Sequence, residues 1–212
     1  MRLPVNAPLR IHVPPIFPWE RGQQRLVIRA QKGFHPRHGT SRLCLELLAR
    51  HRVLIRHKSF LDVGCGSGIL ALAAAHLGAD WVVGVDIYEP SIRAAVRNAG
   101  ENGLGGRSAW VVRSVEAVRG PFAAVAANLP WPVWLRIGGE IMGRVASDGL
   151  LLVSGFQDLQ LAHLQGQLHD AGFFVVDRAE ADESFFGVPP SGSFTWMALV
   201  ALRRNLRRRG EP

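Results

Sequence analysis

Asp62-Val63-Gly64-Cys65-Gly66-Ser67-Gly68 places three alternating glycines directly behind an acidic residue. Glycines in that setting allow a tight turn and let a ligand approach the bare backbone. A helix opening just after them offers unpaired N–H groups. Asp86 follows Gly64 by 22 residues, and a carboxylate closing the next strand can take both hydroxyls of a ribose. Asp62, Gly64, Gly66, Gly68 and Asp86 are therefore candidate contacts for an adenosine-type nucleotide. A second constellation is Asn128-Leu129-Pro130-Trp131. The Asn128 amide oxygen can accept a hydrogen bond from an amine, and Trp131 can wall a pocket or stack on a planar substrate. Taken alone, either segment also reads as a connector, since Gly, Asn and Pro all favour turns.

These residues need a scaffold that brings them to one rim. Ser59–Val63, Trp81–Asp86, Ala109–Arg113, Phe122–Ala127 and Leu150–Ser154 read as strands, followed by Phe173–Asp177 and Thr195–Leu202. Helices are expected at Ile69–Leu77, from Pro90 to about Asn102, near Val133–Val145, and from about Leu159 to Asp170. Such alternation predicts an α/β protein with a mainly parallel sheet and helices on both faces. Ligands in open α/β sheets bind beyond the carboxyl ends of the strands, and Gly64, Asp86 and Asn128 all fall at such ends. Ahead of this region Leu26-Val27-Ile28 reads as a short strand. Thr40 or Ser41 is the expected N-cap of a helix with the apolar stripe Leu43, Leu47, Leu48 and Val53.

Two ligand types compete for the glycine loop. Gly66-Ser67-Gly68-Ile69-Leu70-Ala71 matches a loose dinucleotide fingerprint with Ala for the last Gly. That fingerprint normally carries an apolar residue two places before its first glycine, where this chain has Gly64. Tyr88, the single tyrosine, forms no Tyr-x-x-x-Lys pair for proton relay. The acidic-x-Gly-x-Gly-x-Gly spacing instead resembles the S-adenosylmethionine loop of class I methyltransferases, which makes S-adenosylmethionine the expected cofactor. Asn128 would then aim a nitrogen lone pair at an electrophilic methyl, a positioning effect.

From about Leu9 to Arg204 the chain resembles the PrmA-type methyltransferases, which methylate amino groups of a large-subunit ribosomal protein at the stalk base. His38-Gly39-Thr40-Ser41-Arg42-Leu43-Cys44-Leu45 is similar to the family's His-Pro-Thr-Thr stretch. Asp62–Ala74 resembles its glycine loop and helix, and Val83-Gly84-Val85-Asp86-Ile87 its ribose-binding strand. Ala126-Ala127-Asn128-Leu129 is similar to Ala-Asn-Ile-Leu. Gly149-Leu150-Leu151-Leu152-Val153-Ser154-Gly155-Phe156 resembles Gly-Gly-x-Leu-x-Leu-Ser-Gly-Ile, and Thr195-Trp196-Met197-Ala198-Leu199 the closing Trp strand. The resemblance implies a Rossmann-like class I methyltransferase with a seven-stranded, mostly parallel sheet and an antiparallel last strand. It implies cofactor contacts at Ser41, with Thr40 beside it, and at Gly64, Asp86 and Asn128. It implies methyl transfer to a protein amino group, on a ribosomal or other protein.

The sequence departs from the family in four places. The family's separate N-terminal docking domain is not expected within these residues. Gly33-Phe34-His35-Pro36-Arg37 replaces a Phe-Gly-Thr-Gly segment, and Ala123 stands where Asp is frequent. Asn-Leu-Pro-Trp is closer to the Asn-Leu-Pro-Tyr of ribosomal RNA adenine dimethylases, which keeps a planar nitrogen, base or amide, open as acceptor. The alternatives to a protein methyltransferase are thus the same chemistry on nucleic acid or a small molecule, or a non-catalytic cofactor-binding module.

The 212 residues suit one main domain. They divide into a Pro-rich basic lead-in (1–35), a methyltransferase domain (36–204) and an Arg-rich tail (205–212). The net charge of +8 is uneven. Residues 1–60 hold 12 basic and 2 acidic side chains, residues 61–150 hold 7 and 8, residues 151–202 hold 1 and 6, and residues 203–212 hold 5 and 1. The charge therefore bears on the partner: the basic ends, including Arg203-Arg204 and Arg207-Arg208-Arg209, are candidates for RNA contact or substrate recognition. Two cysteines exclude a disulfide framework or a four-cysteine zinc site. His163 and His169 lack ligand spacing, so no metal is expected. No membrane segment is expected, and a reducing cytoplasm fits the cysteine usage. His38 is a candidate base or a solvated cap neighbour. Trp131 and Trp134 are either a pocket wall or core, and Trp19, Trp81, Trp110 and Trp196 read as core or scaffold.

Overall fold

A computed structural model describes residues 10–12, 25–29, 38–182, 192–193 and 195–204. The elements run β1 (Arg10–His12), β2 (Arg25–Val27), α1 (Gly39–Arg50), α2 (Arg52–Ile55), β3 (Ser59–Val63), α3 (Ile69–His76), β4 (Trp81–Asp86) and α4 (Glu89–Glu101). They continue with β5 (Ser108–Val112), β6 (Phe122–Asn128), α5 (Trp131–Gly143), β7 (Val145–Gln157), α6 (Leu161–Asp170), β8 (Phe173–Asp182) and β9 (Thr195–Arg203). Seven strands form one sheet in the order β5-β4-β3-β6-β7-β9-β8. β3 through β7 pair in parallel, and β9 runs antiparallel between β7 and β8. The order reverses at β3, where the chain leaves toward β4 on one side and β6 on the other, and a crevice opens at such a switch point.

Strand alternation builds two cores. Phe60, Val82, Ala124, Ala126, Leu150 and Leu152 face a layer formed with α1 and α3. Leu61, Val83, Val125, Ala127, Leu151 and Val153 face the α5 and α6 layer. Both faces are covered, so the central strands are apolar throughout. Ile69 to Ala75 are all buried, which is why α3 lacks the polar stripe of a surface helix.

Four local expectations needed correction. His38, not Thr40 or Ser41, caps α1: its Nδ1 accepts from the Thr40 N–H at 3.4 Å and lies 2.9 Å from the Thr40 hydroxyl oxygen. The two hydroxyl residues are buried inside the first turn instead. β7 and β8 are longer than their apolar runs, because β7 begins in the polar stretch ahead of Gly149 and β8 alternates charged with half-buried residues. Trp81 is 43 % exposed at the open end of β4, so it is no part of the core. Arg203 belongs to β9: its Nη1 donates to the carbonyls of Val145 (2.6 Å) and Met142 (3.3 Å), and its guanidinium lies over the Phe173 ring. Arg204 covers Phe174 in the same way. Trp19, His35, the Gly33–Arg37 segment and Arg207–Arg209 lie outside the described residues.

Among the described residues no helix is long and apolar enough to cross a membrane. None of their His, Cys, Asp and Glu side chains form a group able to hold a metal.

Candidate functional site

A cleft of about 420 Å³ opens at the carboxyl ends of β3, β4, β5 and β6, within the range of small-molecule pockets. It is lined by the glycine loop after β3, by Asp86 and the turn after it, and by Asn128 at the end of β6. Ser41 of α1 and Val133, Arg136 and Ile137 of α5 close its walls. The loop, the β4 carboxylate and the β6 amide thus meet at one opening.

The loop is set by its backbone bonds. Gly64 and Cys65 both donate to the Val85 carbonyl, at 2.8 and 3.0 Å, and Gly68 donates to Cys65 O at 2.8 Å. Gly64, Gly66 and Gly68 all have positive φ, so each is where an L side chain would be strained. Their surroundings separate their roles. A Cβ on Gly64 would meet the Leu129 side chain at 2.3 Å, and one on Gly68 would meet Trp110 at 2.7 Å. A Cβ on Gly66 would meet nothing within 4 Å. Gly66 therefore presents open backbone to the cleft. Gly68 does not line it; its missing side chain lets Trp110 of β5 pack against the start of α3.

Asp86 joins the second strand to the loop. Its Oδ2 accepts the Gly66 N–H at 3.0 Å and its Oδ1 accepts the Tyr88 N–H at 2.8 Å. Each carboxylate oxygen has a second lone-pair site for a ligand hydroxyl. Asp62 also lines the cleft, and its Oδ2 accepts the Ala71 N–H from α3 at 3.1 Å. It thereby satisfies one of the orphan donors in the first turn of α3. Burial pushes the Asp62 carboxyl up to about 7, the Ala71 bond opposing and the nearby Asp86 charge adding to the rise. Burial also holds the Cys65 thiol well above its ordinary value, so it is no nucleophile near neutrality.

Asn128 supplies the third feature. Its Oδ1 is buried and has no hydrogen-bond partner. An orphaned buried acceptor is costly unless a ligand completes it. With the bare Gly66 backbone and the Asp86 carboxylate, this donor-seeking atom fits an adenosine-bearing cofactor beside an amine.

Of the other residues singled out from sequence, Ser41 lines the cleft and Thr40 does not. Trp131 does not enter it. It stands edge-on to His163 of α6, with ring centroids 5.5 Å apart. Helical geometry explains this: Trp131 and Trp134 share the side of α5 turned to α6, while Val133, Arg136 and Ile137 take another. Trp134 is core, its Nε1 donating to Gln167 Oε1 at 2.9 Å. His38 packs edge-on against Trp196, 5.4 Å away, and is not among the cleft residues. Sequence reading missed Arg113, Arg136 and the α5 wall, which no local motif marks.

The parallel sheet with its antiparallel β9, and the glycine loop beside a β4 carboxylate, define a class I methyltransferase fold. The chain belongs to the ribosomal protein L11 methyltransferase (PrmA) family, whose sequence model matches residues 4–185. It is 34% identical over 170 residues to the ribosomal protein L11 methyltransferase of Desulfosudis oleivorans, covering 78% of this chain and 52% of that protein. It is 36% identical over 182 residues to the enzyme of that name in Pelotomaculum thermopropionicum, covering 84% and 58%. The chain spans about half the length of the curated relatives it matches. The crystal structure of ribosomal protein L11 methylase from Lactobacillus delbrueckii subsp. bulgaricus superimposes with a TM-score of 0.72 at 28% identity, covering 92% of this chain and 93% of that one. Magnesium protoporphyrin IX methyltransferase from Synechocystis, solved with bound S-adenosylmethionine, shares the fold at TM-score 0.60 and 20% identity, over 75% and 76% of the chains.

Proposed function

We propose that the chain binds S-adenosylmethionine in this cleft and transfers its methyl group to a nitrogen of a protein, a ribosomal protein being the acceptor that the relatives' names support. The observation that carries this reading is the unpartnered, buried Asn128 Oδ1 in the same cleft as the glycine loop and Asp86. When bound, the cofactor supplies a sulfonium methyl, a one-carbon electrophile with a neutral thioether as leaving group. Gly66 lets it approach bare backbone, Gly64 lines the cleft beside it, and Ser41 closes the α1 side. Asp86 accepts the ribose hydroxyls. Asn128 accepts an N–H of the incoming amine, so the nitrogen lone pair faces the methyl carbon. The N–C bond forms as the C–S bond breaks, and the nitrogen gives up a proton to solvent. Holding these groups in line is the main catalytic contribution.

A protein acceptor is preferred over RNA on one observation besides kinship. Arg203 and Arg204, the described part of the basic tail, are engaged with Phe173, Phe174 and backbone carbonyls. The test is calorimetry with S-adenosylmethionine and NAD, followed by tritiated-methyl transfer to cell extract split by protease and nuclease. Binding of S-adenosylmethionine with protease-sensitive label supports the reading. Binding of NAD alone overturns the cofactor, nuclease-sensitive label overturns the protein acceptor, and absence of label leaves a binding module.

A further inference from the structure

Asn98 lies on the inner side of α4, fully buried beside Ala94, Ala95 and Ala99. Its amide bridges the cofactor loop and residue 29. Nδ2 donates to the Ser67 carbonyl at 2.9 Å and to the Arg29 carbonyl at 3.3 Å, and Oδ1 accepts the Arg29 N–H at 3.0 Å. One turn further, Asn102 Oδ1 accepts the Val27 N–H at 2.8 Å and its Nδ2 donates to the Val27 carbonyl at 2.7 Å. Two asparagines four apart therefore treat residues 27 and 29 as a partner strand would, each taking one residue's N–H and C=O. The alternate side chains follow the same period: Leu26 and Ile28 are fully buried in the α1 and α3 core. An Arg29–Glu101 ion pair closes the exposed edge.

The Ser67 end of this network matters for the cleft. Ser67 lines it, and the Ser67–Gly68 peptide is held at both atoms: its carbonyl by Asn98, its N–H by Cys65 O. The open Gly66 backbone lies just before that peptide. Whatever orients the Ser67 carbonyl therefore orients the loop surface that a cofactor meets.

We propose that Asn98 is a positioning residue that couples the docking of residues 27–29 to the conformation of the Gly64–Gly68 loop, so that cofactor affinity depends on that segment being in place. The inference rests on the cofactor reading above and extends it to residues that touch no cofactor. Coupling of this kind is reciprocal: if the docked segment favours cofactor, cofactor must favour the docked segment.

The test uses the full chain, S-adenosylmethionine titration by calorimetry, and amide hydrogen exchange at Val27 and Arg29. Asn98→Asp still accepts the Arg29 N–H but can donate to neither Ser67 O nor Arg29 O. It is expected to weaken cofactor binding about tenfold or more, because the donations to the loop and to the docked segment are lost together. It should raise KM for the cofactor while leaving kcat close to wild type. Asn102→Ala releases residue 27 without touching Ser67, and should weaken binding about threefold. Saturating cofactor should slow exchange at both amides in the wild type, and less so in Asn98→Asp. Wild-type affinity in a folded Asn98→Asp, or exchange at residues 27 and 29 indifferent to cofactor, overturns the coupling. Should Asn98→Asp not fold, wild-type affinity in Asn102→Ala overturns it as well. A wild-type chain that binds no S-adenosylmethionine overturns the cofactor reading and this inference together, whereas normal wild-type binding with unaffected variants overturns this inference alone.

Discussion

Gly155 and Leu129 meet backbone against backbone: a Cβ on Gly155 would lie 2.1 Å from the Leu129 carbonyl oxygen. Gly155 has φ +89° and sits where the pairing of β7 with β9 shifts register, between Ser154 and Phe156. Leu129 N–H donates to the neighbouring Ser154 carbonyl at 3.1 Å. On its other side the Leu129 side chain fills the space a Gly64 side chain would need. Gly155 of β7 and Gly64 of the loop after β3 thus fix Leu129, and with it the direction in which Asn128 leaves β6.

Gly155→Ala should therefore act on both stability and the site. The added methyl meets backbone that cannot rotate away, in a φ region unfavourable to alanine. Left-handed strain and overpacking together put the loss at about 2–4 kcal/mol. Urea unfolding measures it. A methyl-transfer assay of the folded fraction should show the displacement of Asn128 as a loss of turnover. A variant as stable as wild type would show that the β7 bulge yields more easily than its contacts imply.

Asn128→Ala should separate activity from stability. The Asn128 Oδ1 has no partner to lose, and an unsatisfied buried acceptor costs about 1–3 kcal/mol. Removing it should leave stability unchanged or raise it by about 1 kcal/mol, offset in part by the small void. Turnover should drop by roughly a hundredfold or more, because the amine loses the group that aims it. Parallel unfolding and methyl-transfer assays decide this. A destabilisation above about 2 kcal/mol would mean the amide supports the fold rather than the reaction.

The contrast between these residues shows what sequence conveys. The Gly64–Gly68 spacing, Asp86 and Asn128 are legible because each sits at the end of a strand buried on both faces, which yields an unbroken apolar run. Trp131 misleads because its neighbourhood to Asn128 in sequence is undone by helical rotation, which turns it to α6. The Thr40 and Ser41 hydroxyls mislead because His38, two residues before Thr40, performs the capping. β8 is underestimated because its edge position tolerates a half-buried Asp177 and the exposed Arg178 and Glu180. Asn98 leaves only a faint trace, an amide among alanines on the inner face of α4. Its three partners come from residues 29 and 67, and no local pattern could pair those.

Asp86→Asn should weaken the cofactor without dissolving the loop. Asp86 receives the Gly66 and Tyr88 N–H groups on separate oxygens. An amide has one acceptor atom, so one of these donors, or a ribose hydroxyl, loses its partner and a charge-assisted bond becomes neutral. Such bonds are worth about 1.5–3 kcal/mol, which predicts a 10- to 100-fold rise in Kd. Calorimetry on wild type and variant measures it. Equal affinities would remove the ribose role from Asp86.

Asp62 gives a pH dependence whose sign can be fixed in advance. Burial raises its carboxyl from 3.8 to about 7. Between those values the folded chain holds a proton that the unfolded chain has released. Stability contributed by this group is therefore full below about pH 4 and is lost progressively as pH rises toward about 7. Asp62→Asn retains an acceptor for the Ala71 N–H but cannot ionise. Its unfolding free energy should lack this downward slope, so the variant gains on wild type between pH 5 and 8, by an amount on the order of 1–3 kcal/mol. Urea titrations at both pH values test this. Cofactor binding adds a second readout. A cationic sulfonium near Asp62 favours its charged form, so binding at about pH 6 should release a fraction of a proton, and less at about pH 8. Calorimetry in buffers of differing ionisation enthalpy detects that proton. Wild type and Asp62→Asn releasing the same amount would place the charge change elsewhere in the cleft.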